Sequence, residues 1–327
     1  MKYREFSDLG WKVSEIGLGC WQIGWCWGDV EDEDARKILK KALDKGVNFF
    51  DTSDTYGDGR SERFLSEIIK SSKDIYVTTK LGRRIRGTNY SKGYKHEPIE
   101  EFIDRSLLNL KLEKIDLVQL HCPPLEILKK PETFEKMDHL VKKGKILNYG
   151  VSVYNLSEAI ESLKYDNVKS IQLVFNVFRQ KPLDKFFKLA KEKKVAIIAR
   201  GPLASGLLGG QFNLETKFAE NDHRNYNIKG EAFDVGDTFS GVDFAKGLVA
   251  VEKIKEILPK NYSISQLALK WILMHDAVSV VIPGAVNSKQ VESNCDVSDL
   301  ENIYDKMPLI KEIYDDIIRE DVHHRWS

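Results

Sequence analysis

The chain has 327 residues, and fifty lysine and arginine residues balance fifty aspartate and glutamate residues. Because a chain without net charge has no global field that would concentrate nucleic acid or an anionic membrane surface, we expect neither as a partner. No apolar run approaches the roughly 20 residues of a membrane span, and the N-terminal stretch lacks the apolar core of a signal peptide. We therefore expect a cytoplasmic protein.

The cysteines and the C-terminal histidines do not indicate a metal site. The four cysteines are scattered without CxxC spacing at Cys20, Cys26, Cys122 and Cys295. In a chain of this length, that argues against both a disulfide framework and structural zinc. The tail VHHRWS has no third ligand nearby in sequence, so we expect a frayed end or one docked on the fold, and no bound metal.

Short apolar or β-branched runs recur along the chain, each followed by a longer charged segment with helical spacing. There are eight such runs, at residues 14–20, 47–51, 75–80, 115–121, 146–152, 170–175, 195–200 and 278–283. Near-continuous hydrophobicity suits strands covered on both faces, and the helical segments suit crossovers between parallel strands. The pattern predicts a (β/α)8 TIM barrel formed by residues 1–327 as one domain.

Segments outside the repeating units add detail to this barrel. The strand-like runs around the turn-former cluster SDLG predict an N-terminal β-hairpin, and DKMPLIKEIYDDIIRED predicts an additional helix. The alternative, a doubly wound sheet, would show a glycine fingerprint after its first strand, where this chain has tryptophans and acidic residues. The irregular segment 209–243 is expected to be a lid, a binding loop or partly disordered.

Polar residues end several of the predicted strands, where a barrel of this type has its active site. The second strand ends on Asp51, with Tyr56 five residues later, the third on Lys80 and the fourth on His121. A tyrosine, with a pKa of about 10, is a poor acid at neutral pH unless its phenolate is stabilised. An ammonium at Lys80 would lower the pKa of Tyr56, Asp51 would keep Lys80 charged, and His121 would orient an oxygen. The set predicts a general acid aimed at a carbonyl group.

A series of motifs resembles the aldo-keto reductases, in order and across nearly the whole chain: FFDTSDTYGDGRSE, TTKLG, QLHCP, GVS, IQLVFN, ARGPLASGLLGG, and VIPGA with QVESN. The resemblance implies a catalytic tetrad of Asp51, Tyr56, Lys80 and His121. It also implies NAD(P)H-dependent reduction of an aldehyde or ketone to an alcohol, by hydride transfer from the nicotinamide and protonation by Tyr56. The small-molecule carbonyl or alcohol itself has no readable motif, and neither has the oligomeric state.

The same resemblance implies a cofactor groove without a Rossmann domain. Its expected residues are Trp21, Asp51, Ser152, Gln172, Arg200, Pro202, Leu203, Gly206, Gly284, Lys289, Gln290 and Asn294. The expected substrate pocket comprises Trp21, Trp27 and Tyr90.

Two positions depart from the family pattern. Val153 follows Ser152 where the family often has asparagine, so one contact to the nicotinamide carboxamide must come from elsewhere or be missing. Gln290 stands where many members have an arginine for the 2'-phosphate, and Lys289 could replace it as a point charge. On this basis we expect a preference for NADP(H) over NAD(H).

Two other functions remain open at this point. Lys80 could form a Schiff base in a lyase or aldolase, which trapping with borohydride would reveal. The chain could also be a regulatory subunit that binds the cofactor with little turnover, as channel-associated subunits of this fold do, and stable association with a membrane partner would favour that.

Overall fold

The computed structural model describes residues 1–24, 30–69, 74–83 and 99–327. The chain begins with an antiparallel hairpin of β1 (Tyr3–Phe6) and β2 (Trp11–Ser14). Eight parallel strands then follow in one sheet: β3 (Leu18–Gly19), β4 (Phe49–Asp51), β5 (Tyr76–Leu81), β6 (Ile115–His121), β7 (Ile146–Ser152), β8 (Val168–Val174), β9 (Ala196–Arg200) and β10 (Val278–Val281). Their order in the sheet is their order in the chain, as the eight predicted runs require.

The sheet closes on itself through the residues around β3. Gly17 N donates to Val281 O (2.8 Å), and Gly19 N donates to Pro283 O (3.0 Å). Ile16 also pairs with Val281 in parallel. Since the first and last strands are joined in this way, the predicted barrel with its N-terminal hairpin is confirmed.

Helices connect the strands and cover the outside of the barrel. They are α1 (Asp32–Asp44), α2 (Arg60–Ile69), α3 (Ile99–Leu110), α4 (Leu125–Leu128), α5 (Pro131–Lys142), α6 (Leu156–Ser162), α7 (Phe186–Glu192), α8 (His223–Tyr226), α9 (Phe244–Glu256), α10 (Ile264–Leu273), α11 (Ser288–Asp296), α12 (Met307–Ile313) and α13 (Arg319–Val322). α1 shows why they form: Ala35, Ile38, Leu39 and Ala42 recur at helical spacing and are buried, while acidic residues occupy its first turn.

The hairpin covers the N-terminal end of the barrel. Phe6 and Val13 are fully buried and pack with Phe49, Leu117 and other residues inside the barrel. On the same side, the Trp11 ring stacks on Tyr76 with a centroid distance of 4.6 Å. With this end filled by apolar side chains, the polar strand ends at the opposite end are left to form a site. Among the described helices, none is both long and apolar enough to cross a bilayer.

Candidate active site

A cavity of about 940 Å³ opens at the C-terminal ends of the strands. Its size is near the upper end of the range for small-molecule sites, roughly 300–1,000 Å³. Every predicted site residue that the structure describes lines this cavity: Trp21, Asp51, Tyr56, Lys80, His121, Ser152, Gln172, Arg200, Pro202, Leu203, Gly206, Gly284, Lys289, Gln290 and Asn294. Trp27 and Tyr90 lie outside the described residues. The structure therefore brings the predicted set together, while the role of each residue stays a prediction.

Lys80 joins the acid and the carboxylate of the predicted tetrad. Its Nζ donates to Asp51 Oδ2 (2.5 Å), to Thr52 O (2.8 Å) and to Tyr56 Oη (3.2 Å). The side chains of Lys80 and Asp51 are only 1% and 4% exposed. A buried ammonium needs such a carboxylate, and three acceptors satisfy its three N–H groups.

Asp51, on β4, is itself held by two glutamines that reach it across the inside of the barrel from β6 and β8. Gln172 Nε2 donates to Asp51 Oδ1 (2.7 Å), and Gln119 Nε2 approaches the same oxygen at 3.3 Å. Gln119 was not predicted, although it lies two residues before His121 and therefore on the same face of β6. This two-residue spacing along the strand is the sequence signal that could have identified Gln119.

The local chain explains how Tyr56 reaches this position. Gly57 has φ +61°, and a methyl group there would lie 2.6 Å from Gly24 O, so the residue after Tyr56 must be glycine. Arg60, at the start of α2, donates to the carbonyl oxygens of Ile23 and Val30 and pairs with Asp32. These contacts fix the segment carrying Trp21 against the loop carrying Tyr56.

The pKa of Tyr56 is shifted in the direction opposite to the predicted one. Burial, followed by the Asp51 carboxylate, raises the pKa of Tyr56 well above its usual value, although Arg200 acts to lower it. Lys80 is paired with Asp51, so the field of the ammonium at the phenol is largely offset by its own counterion. The net direction is therefore opposite to the predicted one and the phenol is held in its protonated form, while the contribution of Lys80 stays a prediction.

His121 faces Tyr56 as a neutral imidazole. The two rings are nearly perpendicular, with centroids 6.3 Å apart. Burial, followed by the positive charges of Lys80, Arg83 and Arg200, lowers the pKa of His121 well below its usual value. Nδ1 lies 3.3 Å from Ser53 Oγ, which leaves Nε2 as the nitrogen that can meet a ligand in the cavity.

Arg200, at the end of β9, forms a polar cluster that the sequence did not predict. It makes a salt bridge with Asp237 from the long loop, and its Nη2 donates to Val153 O (3.3 Å). Burial opposes ionisation of Asp237, but the guanidinium outweighs it and lowers the pKa of Asp237. Arg200 therefore sets a donor beside Val153, the position at which the family's asparagine is missing.

Tyr154 lies between two guanidinium groups next to this cluster. Those of Arg200 and Arg83 lie 5.3 and 5.5 Å from the centroid of its ring. Arg83 Nη1 also donates to Tyr154 Oη (2.8 Å). The wall of the cavity near His121 is therefore both aromatic and cationic.

A turn with left-handed backbone follows β9. Ala204, Ser205 and Gly206 have φ values of +46°, +56° and +90°. A methyl group on Gly206 would lie 3.1 Å from the Phe212 ring and 3.5 Å from Arg224 Nη1. Ala204 N and Gly206 N donate within the turn, to Gly201 O and Leu203 O, and the Arg224 guanidinium, which pairs with Asp222, lies beside the turn at the cavity wall.

The far end of the cavity is formed by α11 and the start of α10. Asn287 caps α11 by accepting from Gln290 N (2.9 Å), and Gln290 Oε1 accepts from Val286 N (2.9 Å). Lys289 is exposed on the cavity rim and forms no ion pair among the described residues. The hydroxyl-bearing residues Ser263 and Ser265, which were not predicted, line the same end.

The long loop at 209–243 forms part of the cavity wall and is secured by the C-terminal tail. It contributes Phe212, Arg224, Tyr226, Phe233 and Asp237 to the lining. Trp326 Nε1 donates to Asp234 Oδ1 (2.9 Å), and the Arg179 guanidinium lies 3.7 Å from the centroid of the Trp326 ring. Of the two outcomes expected for the tail, docking is the one found.

Comparison with known proteins gives a consistent result. A sequence model of the aldo/keto reductase family matches residues 15–315. The uncharacterized oxidoreductase YqkF of Bacillus subtilis is 30% identical over 301 residues, which are 90% of each chain. A probable voltage-gated potassium channel subunit beta of Arabidopsis thaliana is 28% identical over 320 residues, 92% of each chain.

A solved structure agrees with these sequence matches. The glycerol dehydrogenase AKR11B4 from Gluconobacter oxydans superposes with a TM-score of 0.78 at 26% identity, covering 100% of this chain and 98% of that one. The resemblance of the motifs is thereby confirmed over the length of the barrel. The chain belongs to the aldo/keto reductase family, and this membership supports an NAD(P)H-dependent oxidoreductase.

Proposed function

We propose that this protein reduces an aldehyde or ketone to the alcohol, with Tyr56 as the general acid and NADP(H) as the preferred cofactor. The observation that supports this most is the position of Lys80 Nζ, 2.5 Å from Asp51 Oδ2 and 3.2 Å from Tyr56 Oη, in a cavity that His121 also lines. That geometry suits proton donation from a phenol to an oxygen at the cavity wall.

Each residue of the tetrad has a separate task in the proposed reaction. The raised pKa of Tyr56 keeps its phenol protonated and ready to donate to the carbonyl oxygen. His121 donates from its imidazole N–H to the same oxygen and so orients it. The Lys80 ammonium donates to the phenolate that Tyr56 becomes, and Asp51 holds Lys80 in place. A bound nicotinamide cofactor supplies the hydride for the carbonyl carbon.

The residues around the tetrad fit such a cofactor. A nicotinamide carboxamide requires both a donor and an acceptor, and Ser152 and Gln172 line the cavity side by side, with Ser152 Oγ 3.4 Å from Gln172 Oε1. Gly206 leaves a space that a methyl group would fill, beside the Arg224 guanidinium. Ser152 and Gln172 would hold the nicotinamide end, and the Gly206 turn with Arg224 would hold the pyrophosphate.

Lys289→Ala should weaken NADPH binding roughly tenfold or more and leave NADH binding within about twofold, since a contact to a charged phosphate contributes about 1.5–3 kcal/mol. Kd values from fluorescence titration would measure this. Lys40→Ala, at an exposed lysine of α1 that does not line the cavity, is the control. Equal losses for the two nucleotides would remove Lys289 from the phosphate site.

Titration of the purified protein with NADPH, and separately with NADH, tests the proposal first. Trp21 lines the cavity, so binding should quench tryptophan fluorescence to saturation, with the lower Kd for NADPH. A panel of aldehydes and ketones, including hydroxyketones because a relative is a glycerol dehydrogenase, should then oxidise NADPH. Failure of both nucleotides to bind would refute the proposal.

One alternative function has specific support. The potassium channel subunit beta of Arabidopsis thaliana matches 92% of the chain, which favours considering a cofactor-binding regulator. Saturable NADPH binding without turnover on the whole panel would support that function over the reductase. The Schiff-base alternative has less support, because Lys80 donates to three oxygens and an ammonium held in this way is a poor nucleophile.

A further inference from the structure

Asp54 is a buried carboxyl group with few hydrogen bonds, two residues before Tyr56. It is 0% exposed, and its Oδ1 lies 3.2 Å from Ser53 Oγ. Its Oδ2 meets no hydrogen-bond partner in the described part of the chain. An ionised carboxylate in such a place is costly, because neither water nor a full set of donors stabilises the charge. The geometry therefore favours the neutral acid.

The charged groups around Asp54 come from the helices packed against it. Glu62 of α2 is also fully buried and accepts from Thr79 Oγ1 (2.7 Å) and Asn109 Nδ2 (2.8 Å). Arg105 of α3 pairs with Asp58 (2.7 Å). Burial, followed by Glu62, raises the pKa of Asp54 to about 8, although Arg105, the Ser53 hydroxyl and the Thr55 N–H act in the opposite direction.

Ser53 connects Asp54 with His121. Its Oγ lies 3.3 Å from His121 Nδ1 and 2.9 Å from Thr55 Oγ1, and it accepts from Thr55 N (3.3 Å). A hydroxyl has one proton and two lone pairs. With one lone pair taken by the Thr55 N–H, the single proton and the remaining lone pair must be shared among the other neighbours.

We propose that Asp54 is a positioning residue that acts through Ser53 to decide which nitrogen of His121 carries the proton. A neutral Asp54 donates its O–H to Ser53 Oγ, so Ser53 donates to His121 Nδ1 and the imidazole proton resides on Nε2. An ionised Asp54 instead accepts a hydrogen bond from the Ser53 hydroxyl, and Ser53 Oγ then accepts from His121 Nδ1–H. The step releases one proton in all, that of Asp54, while the imidazole exchanges its Nε2 proton for one on Nδ1.

The tautomer decides whether His121 helps or hinders the reaction, so this inference rests on the proposed reduction. With the proton on Nε2, His121 can donate to a carbonyl oxygen in the cavity. With the proton on Nδ1, Nε2 presents a lone pair to that oxygen and repels it. Lys80, Arg83 and Arg200 all face His121 and disfavour its cationic form, so the imidazole changes tautomer without gaining charge.

The pH dependence of reduction tests this directly. Asp54, with a pKa of about 8, is protonated below that pH and ionised above it. Because only the protonated form supports the reaction, wild-type kcat/KM should fall roughly 30-fold between pH 7 and pH 9.5. Tyr56 cannot account for the fall, because its pKa is held well above 10. In Asp54→Asn the carboxamide N–H donates to Ser53 at every pH, so the ratio of kcat/KM at the two pH values should be close to one.

Asp116→Asn is the matched control. Asp116 is a half-buried carboxyl group whose pKa is also raised, but it lies near the start of β6 and accepts from Val77 N (3.0 Å), away from the cavity. This variant should keep the alkaline decline of the wild type. An Asp54→Asn enzyme with the same decline as the wild type would overturn the proposal.

A measurement without turnover separates this inference from the proposed function. The chain has seven histidines, and nitrogen-15 NMR of histidine-labelled protein, with His121 assigned from a His121→Gln variant, reports which nitrogen is protonated. His121 should carry the proton on Nε2 at pH 7 and on Nδ1 at pH 9.5 in the wild type, and Ser53→Ala should abolish the change. An unchanged tautomer would refute the role of Asp54 even if carbonyls are reduced, whereas a changed one would support it even if no substrate is found.

Discussion

Tyr56→Phe should lower kcat for carbonyl reduction by about 100- to 10,000-fold, the range that general acid catalysis contributes. Only the hydroxyl is removed, and the ring can keep its contacts with Trp21 and His121, whose centroids both lie 6.3 Å away. We therefore expect the Kd for NADPH to stay within about twofold of the wild type. Steady-state kinetics on a reactive aldehyde and fluorescence titration of NADPH would give the two quantities.

A second tyrosine in the same cavity provides the control for this prediction. Tyr226 lines the cavity on the long loop, and Tyr226→Phe should keep kcat within about fivefold of the wild type. If Tyr56→Phe turned over as fast as the wild type, the hydroxyl could not be the acid and the mechanism would be wrong. If it lost NADPH binding as well, the residue would be acting on the cofactor rather than on the proton.

The strand ends could be predicted from the sequence because their arrangement follows from the architecture. In a parallel barrel all carboxyl ends meet on one side, so residues ending different strands must be neighbours. His121 lies opposite Ser152, and Ser152 opposite Gln172, in the register of the sheet. Apolar runs and their terminal residues were therefore enough to bring Asp51, Lys80 and His121 to one cavity, whereas the cofactor-groove residues followed from the resemblance to the family.

Contacts made by irregular segments could not be predicted in this way. Asp237 pairs with Arg200 across 37 positions of the chain, and no periodic pattern fixes where a residue of the 209–243 loop will lie. The docking of Trp326 on Asp234 has the same cause. Such contacts depend on how a loop folds back over the barrel, which local sequence does not encode.

The protonation states are a third kind of property that the sequence did not supply. The prediction that Lys80 lowers the pKa of Tyr56 took only one charge into account. The pKa of Tyr56 depends first on its burial and then on Asp51. The raised pKa of Asp54 likewise depends first on its burial and then on the closeness of Glu62. These quantities require the three-dimensional environment of each group.

Lys80→Met should lower kcat by about 100- to 1,000-fold, the usual loss when one electrostatic donor to a transition state is removed. It should also destabilise the fold by about 3–5 kcal/mol, because Asp51 is left buried without its partner. The Asp51→Asn/Lys80→Met double variant removes both charges and should recover much of the stability. Urea unfolding and steady-state kinetics on the single and double variants would measure the two effects separately.

The comparison of these variants separates the structural task of Lys80 from its catalytic one. Lys80 neutralises Asp51, which matters for folding, and donates to Tyr56 Oη at 3.2 Å, which matters for the phenolate. In the double variant Asp51 no longer carries a charge to be neutralised, but Tyr56 Oη still lacks its donor. Stability that returns while kcat stays low would therefore assign Lys80 a direct role in proton transfer. Recovery of kcat together with stability would instead mean that Lys80 only keeps Asp51 buried, and that Tyr56 donates its proton without help from the ammonium.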